Sequence, residues 1–300
     1  MDNLAHGLTG ALIGYCGFRQ RPYGGRASLW TAIAAAEFPD ADVALGYFGD
    51  EFVLRWHRSF THSAVMMPVW ALVVAGACWA FSRQSNFKVL WQAALAGLAS
   101  HLFLDWITNY GTLLLWPLTD ARFALSWVFI VDLYVLAALA IGLVAAIKTQ
   151  RVKVAGAALG IVGAYLLSCG AMRTWVQHRD GGTAFAQPAN PFRWVTVRNE
   201  DDAVVWRCEG REARFPQFRD DTLLPKAEAL PVVKLYRWFA AFPVVEKLTE
   251  NGRTVLRYRD VRFRFVMPGG GVREGMFAVA KVVFDPQGNV VAAGLAGEEN

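Results

Sequence analysis

Apolar residues in this chain gather into long runs in its first half. Residues 64–81 (AVMMPVWALVVAGACWAF) and 154–172 (VAGAALGIVGAYLLSCGAM) carry no charge, and residues 124–147 carry one, Asp132. Each run is close to the ~20 residues that a bilayer-crossing helix needs. With the more mixed runs 4–18, 28–45 and 88–108, the pattern predicts six helical hydrophobic segments before residue 173. The first two are short or mixed, which leaves half-spanning or tilted arrangements open for them. No basic residue precedes the first, so it does not read as a cleavable signal peptide. A buried helix of a soluble core is the alternative reading of any single run. Its repetition in one half of the chain argues instead for a multi-pass helical membrane domain over residues 1–173.

From about residue 174 the period changes. Charges become frequent, and short alternating runs follow one another: RWVTVRN (193–199), AVVWRCE (203–209), TVLRYRD (254–260), VRFRFVM (261–267) and FAVAKVVFD (277–285). Asn251-Gly252 and the stretch 286–289 (PQGN) are hairpin-turn signals. Residues 225–242 read as a helix that Pro231 starts or kinks. Residues 174–300 are therefore expected to form a small α+β, mostly β, extramembrane domain.

Composition agrees with this division. The chain is 55% hydrophobic and 18% charged, against roughly 25% charged in soluble domains. The net charge of +5 is accounted for by loops and one basic domain. No arginine-rich face interleaved with aromatics suggests a nucleic-acid partner. Cys16, Cys78 and Cys169 fall in apolar runs and Cys208 outside them, which describes no disulfide framework.

Charge also orients the helices. Arg19, Arg21 and Arg26 follow the first segment, Arg83 and Lys88 the third, and Lys148, Arg151 and Lys153 the fifth, with no acid among them. The alternate loops mix Arg55, Arg58 and Arg122 with Asp50, Glu51 and Asp120. Short basic loops stay in the cytoplasm. The N-terminus and the C-terminal domain are thus expected outside.

Ionisable groups near hydrocarbon are costly and mark function. His6, Asp40, Asp42, His57, His62, His101, Asp105 and Asp132 all fall, on this topology, in one layer at the outer face. His101 and Asp105 are four apart and share a helix face. Imidazoles and carboxylates in one layer make a ligand set for a divalent transition metal, Zn²⁺ first, with Mn²⁺ or Fe²⁺ as alternatives. The donor count allows one or two ions. His6, Asp40, Asp42, His57, His62, His101 and Asp105 are the expected ligands. Arg58 is the candidate for holding developing negative charge, and Asp132 for a catalytic or supporting carboxylate. Thr61 or Ser59 is placed to cap the third helix.

MDNLAHGLTGALIG (1–14), FPDAD (38–42), WHRSFTHS (56–63), HLFLDWITNYGTLLLWPL (101–118) and RFALSWVFIVD (122–132) together resemble the YdjM-like family of inner-membrane metal-dependent hydrolases. The resemblance covers about residues 1–172, and PANPFRW (188–194) with the domain after it is similar to the longer members. It implies an integral protein of the bacterial inner membrane with a metal centre held by the same seven His and Asp residues.

Two functions of different class follow. One is a membrane-embedded metal hydrolase acting at the outer interface on a phosphoester or ester of a lipid or lipid-linked substrate. The other is a non-enzymatic membrane protein whose metal is structural and whose outer domain binds an envelope partner. A transporter ranks lower, because the cytoplasmic halves of the segments offer almost nothing ionisable.

Overall fold

A computed structural model describes residues 1–20, 25–220, 222–275 and 279–295. Arg21, one of the basic loop residues, and Phe277 and Ala278, at the start of the last alternating run, lie outside the described residues. The helical half runs α1 (Asn3–Ile13), α2 (Gly25–Glu37), α3 (Asp50–Trp56), α4 (Met67–Phe81), α5 (Phe87–Trp106), α6 (Leu133–Thr149) and α7 (Val152–Asp180). The half that follows holds β1 (Thr183–Gln187), β2 (Asn190–Asn199), β3 (Ala203–Cys208), β4 (Arg211–Pro216), α8 (Leu223–Glu228) and α9 (Pro231–Phe239). It continues through β5 (Pro243–Glu250), β6 (Arg253–Asp260), β7 (Arg264–Val266), β8 (Val272–Glu274), β9 (Ala280–Phe284) and β10 (Val290–Leu295). A helical membrane domain thus precedes a region of antiparallel sheets. The chain divides into two compact units, Met1–Val43 with Arg58–Met172, and Ala44–His57 with the residues from Arg173 onward.

α5, in the first unit, and α7, most of which is in it, are each long and apolar enough to cross a membrane. The 17-residue α6 is apolar but shorter. Close packing comes from small residues, as is usual where helices meet in lipid. Ala32, Ala35 and Ala36 of α2 are fully buried. A Cβ added to Gly10 of α1 would lie 2.7 Å from the Ala36 Cβ, and one added to Gly97 of α5 would lie 2.4 Å from the Ala32 carbonyl oxygen. Only glycine lets both neighbours reach α2 at this distance. Leu12, Leu104, Ile107, Val128, Leu139 and Leu166 then join α1, α5, α6 and α7 in one core.

The expected helix over 124–147 starts late, at Leu133. Residues ahead of it fold back on the end of α5. Leu125 N donates to the Trp106 carbonyl at 2.7 Å, and Trp127 N to the Ile107 carbonyl at 2.8 Å. Thr112 and Phe123 form an antiparallel bridge. An apolar run does not have to be helical when a neighbour's terminal carbonyls satisfy its backbone. The expected helix over 28–45 stops at Glu37, just ahead of Pro39, which has no N–H to carry the α-helical ladder on. A 3₁₀ segment, Phe38–Phe48, carries the chain on.

The second unit holds two four-stranded antiparallel sheets, ordered β1-β2-β3-β4 and β10-β9-β6-β5, and a β7-β8 pair. Phe185, Val195, Val197, Val204 and Trp206 of the first sheet bury their side chains with Val244, Val261 and Val266. Asn251 and Gly252 have φ of 52° and 76°, the left-handed pair that a tight β5-β6 hairpin requires. Pro231 opens α9 and separates it from α8, so the expected 225–242 helix is two helices. α9 turns Val232, Val233, Tyr236 and Phe239 inward, and burying a Val or Phe side chain contributes about 1.5–3 kcal/mol.

Candidate metal centre

The site lies within the first unit and is assembled from four pieces of chain. α1 brings His6, the 3₁₀ segment brings Asp40 and Asp42, a 3₁₀ turn at Phe60–His62 brings His62, and α5 brings His101 and Asp105. The helical spacing seen in the sequence puts His101 and Asp105 one turn apart, and both are fully buried. Asp40, His62, His101 and Asp105 each offer a donor atom, and the four atoms lie within 4.8 Å of one another.

The outer nitrogens of the two imidazoles fix which lone pairs face inward. His101 Nδ1 is 2.6 Å from the Ala36 carbonyl oxygen at the end of α2. A carbonyl only accepts, so Nδ1 carries the proton and Nε2 presents a lone pair. His62 Nδ1 is 2.9 Å from Thr61 Oγ1 and 3.3 Å from Asp42 Oδ2. Thr61 Oγ1 in turn donates to Asp42 Oδ2 at 2.7 Å, which orients His62 in the same way. The two Nε2 atoms are then 3.0 Å apart, with Asp40 Oδ1 and Asp105 Oδ2 beside them at 3.1–3.6 Å. Two imidazole nitrogens converging beside two buried carboxylates call for positive charge between them, which a bound metal ion or a proton on one ring supplies. The outer bonds from Ala36, Thr61 and Asp42 are the supports that ligating histidines usually have. The donor set therefore fits a divalent transition metal.

Arg58 closes one side. Its Nη2 lies 2.8 Å from Asp105 Oδ1, its Nη1 donates to Thr108 Oγ1 at 3.1 Å, and its guanidinium stacks over Tyr110. The Met1 ammonium also reaches Asp105 Oδ1. Arg58 has φ of 60°, uncommon for a side-chain-bearing residue. That strained turn is held because Arg58 N donates to Asp42 Oδ2 at 3.1 Å and its carbonyl accepts from Leu113 N at 3.0 Å.

The sequence-predicted residues divide accordingly. Asp40, His62, His101 and Asp105 come together, with His6 stacked on His101 at a ring separation of 3.7 Å. Asp42 supports His62 from behind. His57 is not in the group: it ends α3, its N–H donating to the Val53 carbonyl at 2.8 Å, and it belongs to the second unit. Asp132 is a helix cap: its Oδ1 accepts from Tyr134 N and Val135 N, each at 2.9 Å, and its Oδ2 from the Tyr165 hydroxyl at 2.9 Å. Both of its oxygens are engaged there, and it is not among the four residues whose donor atoms come together. The turn leading into α4 is held by Ser63, whose Oγ accepts from Val65 N at 3.1 Å, while Thr61 serves the site. The Ala36 carbonyl and Thr108 were not legible in the sequence, since only tertiary packing brings them in.

A model of the YdjM inner membrane protein family matches residues 1–176. The chain belongs to the YdjM inner membrane protein family. The YdjM match takes in every residue of the site and leaves out the sheets. The chain is also similar to the uncharacterized protein YfhP of Bacillus subtilis (strain 168), 29% identical over 119 residues. That similarity covers 38% of this chain and spans 36% of the Bacillus protein's length. No solved structure matches the chain.

Proposed function

We propose that this protein is a metal-dependent hydrolase embedded in the bacterial inner membrane, cleaving a phosphoester or ester of a lipid or lipid-linked substrate. The observation that carries this reading is the convergence of Asp40, His62, His101 and Asp105 in one largely buried group within a helical membrane domain. A divalent ion there supplies Lewis-acid polarisation of the scissile group and activation of water. Zinc suits the mixed imidazole and carboxylate donors best, with manganese and iron as alternatives. Arg58 Nε has no hydrogen-bond partner among the described residues, so the guanidinium has a donor to spare for an anionic group. The outer ring supports keep both histidines in one tautomer, so their lone pairs need not reorganise. In this reading the helices cross the membrane several times, with the site and the C-terminal domain on the outer side; the basic loops with Arg19, Arg26, Arg83, Lys88 and Lys148, which favour the cytoplasm, support it.

The test is hydrolysis of lipid phosphoesters by protein reconstituted in vesicles, before and after chelation. Cleavage lost on chelation, restored by added zinc and absent in His101→Ala supports the reading. Undiminished cleavage by metal-stripped protein sinks it. One observation favours the non-enzymatic alternative: four protein donors within one group can close a tetrahedral structural site. In that case no water exchanges at the ion, and no ester is cleaved.

A further inference from the structure

The far side of the same two carboxylates carries a second set of donors, and the inference drawn from it rests on the metal-centre reading above. Asp40 and Asp105 each turn one oxygen toward the His62–His101 pair and the other toward His6. On the first side, Asp40 Oδ1 is 3.3 Å from His62 Nε2 and Asp105 Oδ2 is 3.1 Å from it. On the second, Asp105 Oδ1 is 3.4 Å and Asp40 Oδ2 4.0 Å from His6 Nε2. His6 is fully buried, and neither of its ring nitrogens makes a hydrogen bond of good geometry among the described residues, Nε2 standing 3.4 Å from Asp105 Oδ1. Buried polar atoms are nearly always satisfied, so an imidazole left this way needs a reason. Its direction is set, because the ring stacks on His101 with 21° between the planes. Positive charge already gathers on this side, where Arg58 and the Met1 ammonium both meet Asp105 Oδ1.

We propose that His6 Nε2, Asp40 Oδ2 and Asp105 Oδ1 form a second cation position, so that the centre is a two-ion site bridged by Asp40 and Asp105. The second ion takes over the neutralising role of the Met1 ammonium at Oδ1. The first position keeps the four donors of Asp40, His62, His101 and Asp105, whereas the second has three protein donors, which leaves it the open coordination a catalytic site needs and a closed structural site lacks. Paired ions about 3.5–4 Å apart clamp the attacking and leaving oxygens of an in-line displacement at phosphorus. With Arg58 beside the second position, the arrangement favours a phosphoester over a carboxylic ester.

Metal content of the full-length protein, purified in detergent after zinc- or manganese-supplemented growth, tests this by mass spectrometry. The expected result is about two equivalents in the wild type and about one in His6→Ala. His6→Phe, which keeps the stack on His101, is expected to behave like His6→Ala. Manganese-loaded wild type should give the electron paramagnetic resonance of an exchange-coupled pair, a readout that does not depend on how the variants fold. About one equivalent in the wild type, with an isolated-ion spectrum and intact chelator-sensitive hydrolysis, overturns the second position and leaves the hydrolase standing. About two equivalents retained in both His6 variants removes His6 from the position. No bound metal in the wild type overturns both readings.

Discussion

His62 shows how much of this site depends on atoms that never face its centre. Its Nδ1 is held by Thr61 and Asp42, and Thr61 Oγ1 also donates to Asp42. Replacing Thr61 by Val keeps the volume and removes both bonds. Supports of this kind are worth about 10- to 100-fold in metal affinity, so Thr61→Val should weaken zinc binding by that order while leaving the helices intact. Competition with a chromophoric chelator, beside circular dichroism, checks both halves of the expectation. Arg58 makes a different case. Arg58→Gly relieves the positive φ but takes the guanidinium from the buried Asp105, leaving the Met1 ammonium alone on Oδ1, and losing that buried ion pair outweighs a relieved turn. The variant should be less stable than wild type and should lose phosphoester hydrolysis more completely than metal. A variant as active as wild type would remove Arg58 from the anion-binding role. Of the site's residues, His101 and Asp105 were legible from their spacing alone. The distinction between Asp40, which faces the centre, and Asp42, which faces away, was not. It depends on the path of the 3₁₀ segment and on which neighbour each carboxylate meets.

At the scale of the elements, the hold of α2 decides whether the site forms. Its last turn supplies the Ala36 carbonyl that orients His101, and its flanks meet Gly10 and Gly97 at distances no Cβ tolerates. Gly97→Ala should therefore push α5 from α2 and cost roughly 1–3 kcal/mol, the usual cost of overpacking. It should also loosen the metal, since His101 lies one turn beyond Gly97 on α5. Urea unfolding in detergent and metal retention together measure this; an unchanged midpoint would show that the helices part without penalty. Hydrophobic runs made most of these helices legible. The stretch before Leu133 misled because an apolar sequence is equally content paired with the end of α5. In the second unit, β1 and β4 escaped notice for another reason. TAFAQ is too short to show a period, and REARFP is an edge-like strand whose alternate positions are largely exposed. Glu246 on β5 offers a check on the sheet itself. Burial raises its pKa, but bonds from Arg257 and Arg259 on β6 outweigh this and hold the carboxylate below its ordinary value. A depressed folded pKa stabilises above the unfolded value, and the gain is lost as pH falls through the folded one. Thermal stability of the full-length chain should thus decline on acidification through and below the ordinary glutamate range, with a smaller decline in Glu246→Gln.

At the scale of the whole molecule, the open matter of consequence is which side of the membrane the sheets and the site occupy. The positive loops predict the outer side for both, because translocating short basic loops is disfavoured. Gln84, in the exposed loop between α4 and α5, and Asp201, in the exposed turn between β2 and β3, serve as reporters that this expectation puts on opposite sides. Native thiols interfere little in the sheets: Cys208 is buried, and burial pushes its thiol up to about 11. The unsubstituted chain supplies the background from Cys16 and Cys78. Intact spheroplasts treated with a membrane-impermeant maleimide should label Asp201→Cys at once and Gln84→Cys only after permeabilisation. The reverse pattern would put the sheets and the metal centre on the cytoplasmic side. A lipid-linked substrate would then have to be presented from the inner leaflet, and the hydrolase reading would keep its chemistry while losing its outer location. Labelling of both reporters from outside would break the alternation of loops itself. That outcome would mean that α4 or α5 enters and leaves on one face, and it would require the site's depth to be argued again from α5 alone.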